Sequence, residues 1–426
     1  MGMNELYDIL KASANNDGLP IMNTSQFISV TEKYGKEDFR KTLADYIEKE
    51  KPPYPLKKFS EEKVIKTFHK LVKVDCNTFI DKSGKEVIEK YDDYEYPYSK
   101  YGLGVVDANN NYNYSSDFFM HDLRMACNSY GFKAPLTRWN DGDNIWGALG
   151  PIWRGINTKK ELSKDVYVGA FRLGCYIATQ FKPNVAKTFY EMTNAKTVLD
   201  TSMGWGDRLT GFFASNATTY IGCDPNPNTF ERYEKMISFY DKLTGGKKTV
   251  QMYNCGAEDL PWDEINNVDC AFTSPPYFST ERYNEGGEKE ELQSWAKFNE
   301  YEKWRDDFYL PVAQKSFNSL SDRGFLLVNI LDPKVKGKRY RSGDELVNSM
   351  RNHFIGQVGM RIMQRPQGKA VFSDEKGNFD KTAMDKFMNK IYIENVWCFA
   401  KDNKIPLFPQ TSTLEKFFKR EGLNYE

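Results

Sequence analysis

The alternation of apolar and polar positions changes character near residue 166. Beyond it, short apolar runs are each followed by a stretch of helical spacing, the order expected of strands and helices wound into one sheet. Runs at 197–199, 220–223, 249–253, 268–272, 325–331, 359–363 and 392–399 predict seven strands, with helices predicted over 207–215, 228–243, 295–320 and 343–354. The last two runs are separated by a polar stretch without a clear long helix, so a terminal antiparallel hairpin is expected there. The first 150 residues read differently. Positions 59–74 have helical spacing, but turn-rich and aromatic-rich segments, including the Asn- and Tyr-rich stretch 94–116, interrupt the pattern. The expected organisation is a mixed, mainly helical N-terminal accessory domain over 1–165, with target recognition as its candidate role. An α/β domain follows over 166–426, built on a doubly wound, seven-stranded, mostly parallel sheet.

Composition narrows the function classes. With 40% apolar residues in a chain of 426, two or three packed domains are affordable and global disorder is excluded. Lys+Arg and Asp+Glu balance at 59 each, so any affinity for a polyanion must come from a local patch. Between Lys334 and Lys369 nine basic residues face two acids, a net of +7. The seven cysteines are dispersed without a C-x-x-C, and His69, His121 and His353 are equally scattered, so neither a disulfide framework nor a metal site is expected. A basic-led apolar leader is lacking and no run of 18 apolar residues occurs, which predicts a cytoplasmic protein without a membrane partner.

Four motifs carry chemistry, each at the end of a predicted strand. In VLDTSMGWGDRL, Asp200 is followed by Ser202, Gly204 and Gly206 ahead of a helix. Glycine lacks a Cβ and tolerates positive φ, so backbone can approach a nucleotide-like ligand closely there. Asp224 ends the next strand, 24 residues on, near the spacing at which a carboxylate meets ribose hydroxyls in doubly wound folds. After the third run, Glu258 or Asp259 is placed to accept from an adenine amino group. The fourth run closes in Ser274, Pro275, Pro276 and Tyr277. Two prolines surrender two amide donors and fix φ, leaving acceptors along the strand end. An aromatic amine is a poor nucleophile because its lone pair is conjugated with the ring. Hydrogen bonds from its N–H groups to the Ser274 side chain and the Pro275 carbonyl favour the geometry that frees the pair, and Tyr277 can stack on the ring. TGGKKT at 244–249 lacks the spacing of a phosphate loop, and its lysines precede a strand instead of opening a helix.

This set resembles the amino-methylating DNA methyltransferases, which use S-adenosylmethionine and carry a D/N/S-P-P-Y/F motif. Asp200, Gly204 and Gly206 match their cofactor loop, Asp224 their ribose acid, and Ser274 to Tyr277 their catalytic tetrapeptide. FKPNVAKTFY, from Phe181, is similar to the element that packs around the cofactor in some members. The resemblance covers roughly 175–400 and implies a class I methyltransferase fold, S-adenosylmethionine as cofactor, and DNA, duplex with a flipped base or single-stranded, as partner. The SPPY form implies cytosine N4 ahead of adenine N6 as the methylated amine, in a setting such as restriction-modification. Trp205 and Arg208 depart from the usual loop and place bulk near the cofactor. Lys334, Lys336, Lys338, Arg339 and Arg341 follow a strand whose tip shares the catalytic edge, where phosphate contacts are expected. The alternatives are the same chemistry on RNA or a protein glutamine, or a catalytically silent nucleic-acid-binding protein.

Overall fold

The computed structural model describes residues 2–91, 93–363, 368–404 and 407. Eleven strands are present among them: β1 (Val87–Ile88), β2 (Gly102–Asp107), β3 (Thr197–Asp200), β4 (Thr219–Cys223), β5 (Thr249–Tyr253), β6 (Val268–Thr273), β7 (Leu320–Asn329), β8 (Lys334–Val335), β9 (Lys338–Arg339), β10 (Phe354–Arg361) and β11 (Ile391–Ala400). β8 and β9 pair as a small hairpin. The other nine form one sheet in the order β2-β10-β11-β7-β6-β3-β4-β5, with β1 beside the start of β11. Strands β5 to β7 are parallel, and β11 runs antiparallel between β7 and β10.

All seven strands expected from the sequence are therefore present, closed by the expected antiparallel hairpin. Central strands are covered on both faces, which explains their near-continuous apolar runs: Val198, Leu199, Cys270, Phe272, Leu326 and Leu327 are fully buried. Two further strands come from the N-terminal half. β2 pairs parallel with β10, from Gln357↔Gly102 to Arg361↔Asp107, and its Gly104 carbonyl accepts from the Tyr98 hydroxyl at 2.6 Å.

The segment expected as one helix over 295–320 is broken into Ser294–Lys297, Tyr301–Trp304, a π-turn at Arg305–Tyr309 and Leu310–Asn318. Pro311 has no amide to donate into the preceding turn, and that turn widens accordingly. The widening stacks Trp304 on Tyr309 with ring centroids 4.7 Å apart, inside the core beneath the sheet. The helix expected over 343–354 ends at Ser349, and β10 begins at Phe354, ahead of the predicted 359. A register shift between Phe354 and Gly356 interrupts the alternation that would have announced it.

The chain groups into two compact units that interleave across the 165/166 division of the sequence. One comprises Ser60–Phe119, Gln180–Glu281 and Glu288–Glu426 and holds the sheet; the other comprises Met1–Phe59, Met120–Thr179 and Arg282–Gly287. The second unit is helical, around Phe39, Leu43, Ile47, Trp139, Leu149, Tyr167 and Phe171. Its helix Thr24–Tyr34 opens with a reciprocal capping box between Asn23 and Gln26. Segment 282–287 is tied into this unit: the Arg282 amide donates to Ser129 Oγ at 2.9 Å, Glu285 accepts from the Gly131 amide at 2.7 Å, and the Arg282 guanidinium lies 4.4 Å from the Tyr130 ring centre.

Candidate active site at the β3 and β6 strand ends

From β3 the chain winds through β4 to β5 on one side, then returns to β6 and β7 on the other. The switch point lies between β3 and β6, and in open α/β sheets the crevice beyond the strand ends at that point is where ligands bind. Two of the four predicted motifs sit at its edges.

Asp200 ends β3 and is fully buried. Its carboxylate accepts from Arg208 Nε at 2.9 Å, from the Tyr220 hydroxyl at 2.6 Å and from the Ser202 amide at 3.1 Å. Arg208, in the helix Asp207–Ala214, also donates to the Ser202 carbonyl and lies 5.1 Å from the Phe181 ring centre. Burial would depress its guanidinium, but Asp200 holds it above its ordinary value. The bulk that Arg208 was expected to place near a cofactor is thus turned inward onto Asp200, and Trp205 is itself 9% exposed.

Around this ion pair the loop makes its turn. Gly204 and Gly206 have φ of 57° and 73°, left-handed values that a side chain would strain, and Gly206 leads into the helix Asp207–Ala214. Gly204 is held at both ends: its amide donates to Asp224 Oδ2 at 2.9 Å, and its carbonyl accepts from the Tyr233 hydroxyl.

Asp224, just past β4, accepts with Oδ1 from the Asn226 amide at 2.9 Å and from Thr229 Oγ1 at 3.3 Å. Burial nevertheless pushes its carboxyl up to about 6. The Gly204 amide fills a third position on it, and the Tyr233 hydroxyl also bears on the carboxylate. Glu258 and Asp259 lie on the turn Ala257–Asp259, both held by Lys297, at 2.6 and 3.0 Å. The Glu258 carboxylate folds back over Gly256, whereas the Asp259 side chain is 60% exposed.

Across the crevice, the Thr201 hydroxyl donates to that of Thr273 at 3.1 Å, tying the β3 loop to the end of β6. The tetrapeptide begins one residue later. Ser274 Oγ lies 3.4 Å from the Tyr277 hydroxyl, which donates to Asn329 Oδ1 at 3.3 Å; the Asn329 amide nitrogen in turn donates to the Asn395 carbonyl at 3.1 Å. Burial holds the Tyr277 phenol well above its ordinary pKa, so it stays neutral. The next residue, Phe278, adopts φ of 52°, a strained conformation for a bulky side chain. Its ring packs among Tyr301, Trp304 and Tyr340 at 5.6, 5.9 and 6.0 Å, and this packing holds the turn.

Asn329 and Phe278 were not singled out in the sequence. A polar residue closing the apolar run FLLVN marks the first; the backbone strain at Phe278 has no sequence signature. A buried polar cluster was missed as well: Asp207 accepts from Ser116 Oγ and, at 3.1 Å, from Gln180 Nε2, while Gln180 Oε1 accepts from Asn113 at 3.0 Å. It braces the first turn of the helix after the glycine loop. Lys248, from the TGGKKT segment, donates to the carbonyls of Phe212, Ser215 and Ala217 at the other end of that helix.

The basic strip divides. Arg339 pairs with the buried Asp332 at 2.7 Å and with Asp93, and lies 3.7 Å from the Tyr91 ring centre; Arg341 pairs with Asp93 at 2.8 Å and Asp344 at 3.1 Å. Both guanidinium groups are thereby committed to knitting the fold. Lys334, Lys336 and Lys338 are exposed on the β8–β9 hairpin, with no acid paired to them among the described residues. Arg361 pairs with Asp81 and Asp107, and Arg365 lies outside the described residues. Among those residues no three His, Cys, Asp or Glu side chains converge as a metal site, and no helix is long and apolar enough to cross a membrane.

No protein-family profile matches this chain, and no curated protein is similar to it. Among solved structures it is similar to the N-terminal domain of EvdMO1 with SAH bound (10% identity over 52% of this chain and 82% of that one, TM-score 0.31). It is also similar to a methyltransferase from Geobacter sulfurreducens (10%, 53% and 79%, TM-score 0.30) and to TrmN from Thermus thermophilus (12%, 52% and 49%, TM-score 0.31).

Proposed function

We propose that the protein transfers a methyl group from S-adenosylmethionine to an exocyclic amino group of a DNA base, cytosine N4 ahead of adenine N6. The observation that carries this reading is the adjacency at the switch point: a glycine loop pinned to an acid on one side, and a proline-stiffened row of acceptors tied to it through Thr201 and Thr273 on the other. The cofactor, when bound, supplies an electrophilic methyl whose bond to sulfur breaks with its electron pair left on sulfur. Gly204 and Gly206 admit it, and Asp224 is the acid that receives a ribose hydroxyl. Asp259 is the acid placed for the adenine, Glu258 being folded onto Gly256. Asp200 and Ser202 act through the loop they shape, because the Asp200 carboxylate is already satisfied internally. Ser274 and the Pro275 carbonyl accept from the target amine, and Tyr277 stacks on its ring. The helical unit is the proposed target-recognition part, since the chain passes into it directly after the tetrapeptide, at Arg282.

Labelled cofactor offered with duplex DNA, single-stranded DNA, RNA and peptide in competition tests the reading. Incorporation chiefly into DNA, with N4-methylcytosine among its nucleosides, is the expected result; RNA or glutamine labelling transfers the chemistry to that substrate. Cofactor affinity is expected to depend on pH. Ribose hydroxyls donate to the ionised form of Asp224, whose carboxyl titrates near 6 in the free protein. Affinity measured by calorimetry should therefore be full well above that value and fall by up to about tenfold per unit below it.

For nucleic acid, the exposed lysines are the proposed phosphate contacts. Replacing Lys334, Lys336 and Lys338 with alanine should flatten the slope of log K against log salt by about 0.9 per lysine on duplex DNA. Arg339→Ala should leave the slope unchanged and lower thermal stability instead.

A further inference from the structure

β11 carries an acid that the chemistry described so far leaves unused. Val396 stands opposite Asn329 in the β7–β11 register, and side chains of opposed residues share a face. Alternation along β11 places Glu394 on that same face. Because β11 runs antiparallel to β7, Glu394 also lies two residues nearer the strand ends that carry the tetrapeptide. Asn329 is the residue that accepts from the Tyr277 hydroxyl at 3.3 Å, so Glu394 and the tetrapeptide meet on one side of the same edge. Its charge bears directly on the Tyr277 phenol.

The environment separates this acid from its neighbours. Asp200, Asp224 and Asp332 each accept several hydrogen bonds from the protein, whereas half-buried Glu394 has no hydrogen-bond or ion-pair partner among the described residues. The charged groups bearing on it are Lys90, which precedes the Tyr91 segment, Lys182 at the start of the helix Pro183–Met192, and Glu281 just after the tetrapeptide. Burial raises its carboxyl above the ordinary range; Glu281 adds to the rise and the two lysines oppose it.

Methylation of an amine leaves a cationic nitrogen with a proton to lose. The acceptors of the tetrapeptide, a hydroxyl and a peptide carbonyl, hold hydrogen bonds but are too weakly basic to keep that proton. We propose that Glu394 is a further catalytic residue of the amine methylation proposed above, the group that receives this proton. The N–H bond breaks with its electron pair left on nitrogen, an O–H bond forms on the carboxylate, and the proton passes to solvent once the product has left. The inference rests on the N-methylation reading.

The test is single-turnover methyl transfer to DNA at saturating cofactor, across the pH range, for the wild type, Glu394→Gln and Glu394→Asp. The wild-type rate should rise with pH through a limb centred above the ordinary glutamate value of about 4.3. The glutamine variant should lack that limb and be slower by about 10²-fold, with cofactor affinity by calorimetry unchanged; the aspartate variant should recover part of the rate and the limb. A glutamine variant that transfers at the wild-type rate, or keeps the acid limb, overturns the proton-acceptor role and leaves the methylation reading standing. Parallel loss of rate and cofactor affinity in both variants makes Glu394 structural and also overturns it. A wild type that binds S-adenosylmethionine but methylates no DNA, RNA or peptide overturns the methylation reading, and the inference falls with it.

Discussion

Replacing Arg208 with alanine is expected to lower the free energy of unfolding by about 3–5 kcal/mol, the largest single-residue loss in this chain. Asp200 has no access to solvent, and Arg208 is its only cationic partner among the described residues. Without the guanidinium, a buried carboxylate keeps two neutral donors, Tyr220 and the Ser202 amide, and its charge stands uncompensated. Urea denaturation of the two proteins measures the difference. Replacing both members by apolar residues of similar volume, Asp200→Leu with Arg208→Met, should recover much of the loss, because the desolvation cost disappears with the charges. The double variant should nonetheless bind cofactor poorly, since the Ser202 amide and carbonyl that the pair organises would lose their anchors. An Arg208→Ala protein that unfolds at the wild-type urea concentration would contradict the burial of this pair.

A large functional effect, of the same order as that of Glu394→Gln, is expected at Tyr277. Truncation to alanine removes the ring proposed to stack on the target base, together with the link from Ser274 through Tyr277 to Asn329. Stacking on an aromatic side chain contributes about 1–3 kcal/mol per base. At about 1.4 kcal/mol per factor of ten, that corresponds to a fall of roughly 5- to 150-fold in methyl incorporation at saturating cofactor. Cofactor affinity should not change, because Tyr277 belongs to the opposite rim of the crevice. Phenylalanine at this position keeps the ring and gives up only the hydroxyl contacts, and its activity should stay within about tenfold of the wild type. Equal labelling by the alanine variant and the wild type would refute the role given to the tetrapeptide.

How much of this was legible in the sequence depended on how local the governing physics is. Strand ends carrying Asp200, Asp224 and Ser274 announced themselves through apolar runs punctuated by acids, glycines and prolines, and the structure places them at the strand ends expected. β2 did not, because GLGVVD between glycines reads as a turn until β10, some 250 residues away, supplies its ladder. The fate of the arginines was hidden for a related reason. Charge runs state a sum, whereas the pairing of Arg339 and Arg341 with Asp93 and of Arg208 with Asp200 is decided by tertiary approach. The π-turn at Arg305–Tyr309 could have been suspected from Pro311 alone. The left-handed Phe278 had no local cue at all, since its cause is the aromatic box built by residues 23 to 62 positions further along.

The place of β2 in the sheet has a bearing on engineering. A cut at the apparent junction near residue 166 would part β10 from its outer neighbour β2 and bare a row of amides and carbonyls to any passing chain. Any replacement of the first third of the protein must therefore leave Gly102–Asp107 in place beside β10, as the ribbon that hems the fabric.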